Sequence, residues 1–251
     1  MVVGARAVAT SGCRPILERT VSDKIRVRKS GGAAVPPMWT SVLAVIAHPD
    51  DASSGLGAVL DAFVLGGARV DMLCLTHGQA WALEDAPGDL ASLRGAELAS
   101  AADVLGPERV KMEDCPDGAL GAGCQTKLAG EVVSVADSCH PDGLLVFDAP
   151  GVSGQLDQVV AVKVALLAAE TLDLPVLGWT VSEAVVAQLN RELGGGATDA
   201  QGGPVDLRVS FDRTRQRLTS RADAGQPVPG STHWRGLELL AETNSLRWLR
   251  A

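Results

Sequence analysis

One imidazole and two adjacent carboxylates stand together at His48-Pro49-Asp50-Asp51. His48 and Asp51 can bind a divalent metal through nitrogen and oxygen. Asp50, as the chain neighbour of Asp51, is expected to point elsewhere and so to be available as a base. The plainer alternative is a polar turn in which Asp51 caps the helix that follows. Val42 to Ala47, just before, is a short apolar run rich in β-branched residues, so it reads as a strand buried on both faces. Pro49 cannot donate to a ladder and ends it. A glycine-bearing segment and an apolar helix, Leu56 to Leu65, come next. In an open α/β sheet the carboxyl end of such a strand is where ligands bind.

Around this corner the chain alternates strand and helix. Arg69–Thr76, Arg109–Glu113, Gly143–Phe147, Leu174–Trp179 and Val205–Val209 read as strands. Leu90–Leu105, Thr126–Ala136, a segment from Gln155 to about Thr171, and Ser182–Leu193 read as helices. A further helix starts at Asp212, and the closing run Trp234–Leu249 reads as an amphipathic helix plus a terminal packing segment. The pattern predicts a single Rossmann-like three-layer αβα domain over residues 38–251, with a mostly parallel sheet. Its cleft belongs at the C-terminal ends of the first, second and fourth strands.

The segment Ala47-His48-Pro49-Asp50-Asp51, with Gly55-Leu56-Gly57 after it, resembles the signature of the PIG-L/LmbE-like family of zinc-dependent N-deacetylases and amidases. The resemblance runs from about Thr40 to the C-terminus. It implies a zinc ion on His48 and Asp51, with Asp50 as the base. Where the family carries Gly-His-Pro-Asp-His, this chain has Gln155 and Gln158 in place of the two histidines. Gln158 then falls at the third metal ligand and Gln155 at the group that assists the tetrahedral intermediate. A carboxamide is a weak zinc ligand, so the resemblance implies a weakened site that takes zinc, another divalent metal, or none.

The resemblance also implies that Arg94, in an Arg-x-x-Glu with Glu97, anchors substrate. The alternative is a surface i,i+3 ion pair. Pro116-Asp117-Gly118 resembles a loop lining the pocket, so Asp117 joins the substrate side. His77, at the end of the second strand, is a secondary candidate facing the same cleft. Its turn, Thr76-His77-Gly78-Gln79, matches a family Thr-x-Gly-Glu except for Gln79. Cys139-His140-Pro141-Asp142 mimics the first motif but precedes a strand, which assigns His140 to the opposite edge and to no catalytic role.

Two function classes follow. One is a hydrolase of an N-acyl amino sugar or similar amide. The other is a catalytically impaired relative that binds a small molecule or partner. A retooled secondary-metabolism enzyme without zinc is a third. The chain of 251 residues is 46% hydrophobic with a formal net charge of −8. That suits one domain with an ample core and argues against nucleic acid as partner. No apolar run reaches the length of a membrane span. Five cysteines without a C-x-x-C pair fit a reducing cytoplasm rather than a disulfide framework. Residues 1–37 hold seven basic and two acidic side chains and read as a poorly ordered tail. A start at Met38, a basic docking arm and an organellar transit segment are the alternatives. The sequence is silent on oligomeric state.

Overall fold

Six strands that run the same way and one, β7, that runs against them make a single sheet in the order β3-β2-β1-β4-β5-β7-β6. The strands are β1 (Ser41–Ile46), β2 (Arg69–Thr76), β3 (Arg109–Cys115), β4 (Gly143–Phe147), β5 (Val176–Thr180), β6 (Leu207–Ser210) and β7 (Thr243–Arg250). The helices are α1 (Asp51–Ser54), α2 (Gly57–Leu65), α3 (Leu90–Leu105), α4 (Gln125–Cys139), α5 (Leu156–Leu172), α6 (Glu183–Leu193) and α7 (Thr214–Ala222). The computed structural model describes residues 37–79, 90–148, 155–193, 205–210, 213–222, 238–239 and 243–251. The tail, the polar loop 81–88, the Gly-rich loop 194–203, His233 and Trp234 lie outside the described residues.

β1 explains why the central strands read as unbroken apolar runs. It lies between β2 and β4, and Val42 to Ala47 are all buried. Helices α4 and α5 pack on each other and against β1, while α1, α2, α3 and α7 form the other layer. Every residue from Val70 to Thr76 and from Gly143 to Phe147 is likewise buried. The architecture is the expected αβα domain with a mostly parallel sheet.

From β1 the chain moves outward through β2 to β3, then returns to β4 on the other side of β1. The strand order thus reverses at β1, and in such a sheet ligands bind at the carboxyl ends of the strands on either side of the reversal. Two hydrogen bonds stitch β2 to β1 at that end: Thr76 N and Thr76 Oγ1 both donate to the Ala47 carbonyl, at 3.0 and 2.9 Å.

The C-terminus departs from the sequence reading. Residues 243–250 form β7, an antiparallel strand between β5 and β6, and not the tail of an amphipathic helix. Leu246 owes its burial to strands on both sides. The expected helix Leu56–Leu65 is α2, with Leu56 as its N-cap, and the segment before it holds an unexpected short helix, α1, set off by Gly55. A Cβ at Gly55 would stand 2.6 Å from the Phe147 ring, so the break lets α1 press onto the sheet.

Candidate metal-binding and catalytic site

At the end of β1 the chain turns directly into α1. Asp50 takes the N-cap position with helical dihedrals and no side-chain cap, and Asp51 is the first helical residue. Asp51 does not cap the helix. Its Oδ2 turns back to accept the Ala47 and His48 backbone N–H groups, each at 3.0 Å. The adjacent carboxylates do not diverge as they would on a strand. In a helical turn successive side chains are about 100° apart, and His48, Asp50 and Asp51 bring ligand atoms within 4.8 Å of one another.

Helix α5 supplies the opposite wall. Gln158 is buried, and its Nε2 donates to Asp51 Oδ1 at 2.6 Å, across 107 positions of sequence. Gln155 is the N-cap of α5, half-buried and without a side-chain cap bond.

Asp117 lies closer to the centre than the reading of a substrate-side loop requires. Its Oδ1 is 3.0 Å from His48 Nε2, with the side chain 1% exposed. Asp157 joins it, Oδ2 standing 3.5 Å from the same nitrogen. The sequence reading passed over Asp157. A signal existed, since it is the Asp of the family's Gly-His-Pro-Asp-His element and survives between the two glutamines. Its carboxylate also accepts Gly118 N at 2.7 Å and Leu120 N at 3.1 Å, which ties the loop after β3 to the N-terminus of α5.

His77 and Arg94 stand outside this cluster. His77 Nε2 meets Asp114 Oδ1 at 2.8 Å, and both line a cavity of about 470 Å³ with Gln79, Ala91, Ser92 and Gly95. Asp114 is a second residue that the sequence reading did not single out. His77 Nδ1 is buried without a hydrogen-bond partner among the described residues. Gly78 connects this region to the first, since a Cβ there would lie 3.1 Å from the Pro49 ring. Arg94 is buried and pairs with Glu97 at 2.8 Å, so the surface ion-pair alternative fails on burial. His140 caps the end of α4 in the left-handed region, at the edge of the sheet away from this site.

Four carboxylates act on one imidazole. Burial works against the charged form of His48. Asp51, Asp50, Asp117 and Asp157 outweigh it and hold its pKa above the ordinary value. Burial also dominates at Asp51 and raises it to about 6, with the nearby His48 opposing the shift. Cys74, buried in β2, is pushed well above the ordinary thiol range by its burial and is a core residue.

Among the described residues two groups could hold a cation, His48/Asp50/Asp51 and His48/Asp117/Asp157. The donor chemistry fits on the His48 side. It does not fit at Gln158, because a carboxamide beside a carboxylate presents its N–H and not its oxygen. Compared with a His-Asp-His set, the site is degenerate and weakened for a divalent metal.

The sequence model of one protein family, described as PIG-L: GlcNAc-PI de-N-acetylase, matches residues 43–169. A 1D-myo-inositol 2-acetamido-2-deoxy-alpha-D-glucopyranoside deacetylase of Streptomyces avermitilis is 28% identical over 220 residues, covering 75% of this chain and 72% of that protein. Among solved structures, N,N'-diacetylchitobiose deacetylase from Pyrococcus horikoshii superposes with a TM-score of 0.59 at 16% identity, covering 84% of each chain. GalB, the 4-carboxy-2-hydroxymuconate hydratase from Pseudomonas putida KT2440, superposes at 0.61 and 14% identity, covering 84% of this chain and 97% of its own. At such identities the structural matches establish the fold alone. No helix among the described residues is long and apolar enough to cross a membrane.

Proposed function

We propose, for a chain that belongs to the PIG-L family of GlcNAc-PI de-N-acetylases, a metal-dependent hydrolase of a non-peptide C–N bond. It removes the acyl group from an N-acyl amino sugar or a related small-molecule conjugate. One observation carries this reading: His48, Asp50 and Asp51 converge within 4.8 Å at the carboxyl end of β1. The Streptomyces relative, named for an acetamido sugar joined to inositol, supports the substrate class.

In this reading Asp50, half-buried and beside the cluster, takes the proton of the attacking water. Gln155, at the N-terminus of α5, donates its amide N–H to the developing oxyanion. Arg94 shapes the substrate side, and His77 lines the neighbouring cavity. When bound, a divalent cation polarises the scissile carbonyl and acidifies water.

The test is acetate release from a panel of N-acetylglucosaminyl conjugates, by the purified chain with and without added Zn²⁺ or Mn²⁺. Asp50→Asn serves as the control. Metal-stimulated release that vanishes in the control supports the hydrolase. No release from any conjugate under either condition sinks it.

The Gln158–Asp51 hydrogen bond favours a second reading. An amide N–H against the ligating carboxylate suits a family member that keeps the pocket for binding, or for other chemistry without zinc. GalB, on the same fold, is a hydratase and not a deacetylase. Saturable conjugate binding without turnover would select this reading.

A further inference from the structure

We propose that the cation of this site is held by His48, Asp117 and Asp157, and not by His48, Asp51 and Gln158. The inference rests on the hydrolase reading and changes the vertex at which the ion sits.

The Asp51 side is already filled with N–H groups. Oδ2 accepts two backbone N–H groups at 3.0 Å, and Oδ1 accepts the Gln158 amide at 2.6 Å. An ion there would have to displace a short, buried hydrogen bond. The amide would then have to turn its oxygen inward and leave its own N–H elsewhere. The glutamine therefore withholds the third ligand at this vertex.

His48, Asp117 and Asp157 offer three ligating groups, where His48, Asp51 and Gln158 offer two and an amide N–H. Two carboxylates from separate elements, one in the loop after β3 and one in the first turn of α5, converge on His48 Nε2 at 3.0 and 3.5 Å. Ligands about 2.1 Å from a common ion stand roughly 3.0 to 3.4 Å apart, so these separations suit neighbouring donors. Both carboxylate side chains are nearly sealed from solvent, at 1% and 4% exposure. Asp157 is held by the Gly118 and Leu120 N–H groups, which fixes its orientation before any ion arrives. Each carboxylate oxygen has two lone pairs, so these bonds leave coordinating capacity. One imidazole and two carboxylates form a harder donor set than the two imidazoles and one carboxylate of the family. That set takes Mn²⁺ as well as zinc. On this view the loss of the third histidine did not remove the metal. It moved the metal toward Asp117.

The test is Mn²⁺ binding to the metal-stripped full chain, followed by loss of the free-ion signal in electron paramagnetic resonance. Asp117→Asn, Asp157→Asn and Gln158→Ala are compared with the parent chain. The expected result is one Mn²⁺ per chain, weakened about tenfold or more by Asp117→Asn and by Asp157→Asn, and unchanged by Gln158→Ala. Thermal melts check folding, and if Asp157→Asn does not melt cooperatively, Asp117→Asn decides. Binding that survives Asp117→Asn but is lost in Gln158→Ala overturns the relocated vertex and leaves the hydrolase reading intact. If the parent chain binds neither Mn²⁺ nor Zn²⁺, the proposal falls. Acetate release by that metal-free chain would then also remove metal dependence from the function.

Discussion

Asp50 and Asp51 are neighbours in sequence with different duties. Asp51 is spent on structure, holding the backbone of Ala47 and His48 and the amide of Gln158. Asp50 is half-buried at the start of α1, with its carboxylate beside His48 and Asp51, and is the candidate for moving a proton. Asp50→Asn is expected to lower kcat by about 10²- to 10⁴-fold, the usual worth of a general base, with KM and the melting temperature little changed. A comparable loss from Asp51→Asn would have a different signature, because the fold would soften with it. Gln158→His tests the other carboxylate partner. It replaces the donor on Asp51 with a zinc ligand and should raise zinc affinity about tenfold or more, measured by equilibrium dialysis. The convergence of His48, Asp50 and Asp51 was open to reading because they sit within four consecutive residues. Gln158 was open to reading only through the family pattern. Asp157 and Asp114 act through partners on other elements, and a single sequence gives no register between those elements.

At the scale of elements, the second His-Pro-Asp shows how one motif serves two purposes. His140 ends α4 with a left-handed cap. Asp142 introduces β4, and its Oδ2 accepts Thr40 N at 2.6 Å, Thr40 Oγ1 at 2.9 Å and Ser41 N at 3.1 Å. The carboxylate thus locks the start of β1 to the start of β4, at the end of the sheet away from His48. The Thr40 backbone N–H leads the causes that hold Asp142 below the ordinary carboxylate range, with burial opposing. A depressed folded-state value means that the stabilisation is fully present above the unfolded carboxylate's pKa. It is lost as the pH falls through the lower, folded-state value. Asp142→Asn should therefore cost about 1 kcal/mol at neutral pH, discounted for the exposure of the site. The gap between variant and parent should narrow in acid, followed by urea unfolding from pH 7 to pH 2. β2, β4 and α3 were legible to the residue because their apolar runs are bounded by turn residues such as Gly67, Gly106 and the 140–142 turn. The division between α1 and α2 was not, since it depends on how closely Gly55 approaches Phe147 and Trp179.

For the whole molecule, the least legible feature is the one that completes the sheet. β7 enters from the C-terminus, antiparallel to both of its neighbours, and β6 joins the sheet only through it. A strand pairing over such a separation leaves no local periodicity, so Leu246 and Trp248 are equally compatible with a helical face or a strand. Within the fold they differ. Leu246 is buried between β5 and β6, paired with Trp179 and Leu207. Trp248 is partly buried and meets Trp39 edge-on at 5.8 Å between ring centroids, while Trp39 stacks on Phe63 at 5.9 Å. The last strand thereby closes against the residues that precede the first. Leu246→Ala should lower stability by about 2 to 5 kcal/mol through lost burial and the cavity left behind. Trp39→Ala should cost about 1 to 3 kcal/mol, since its rings are only half-buried and its aromatic contacts add modestly to burial. Both shifts are read as a lower urea midpoint with an unchanged slope. The His48 corner lies across the sheet on β1 and α1, so the cation affinity of the folded Leu246→Ala protein should match the parent's. A variant that lost cation binding while still folded would mean that β7 supports the His48 corner as well as the sheet.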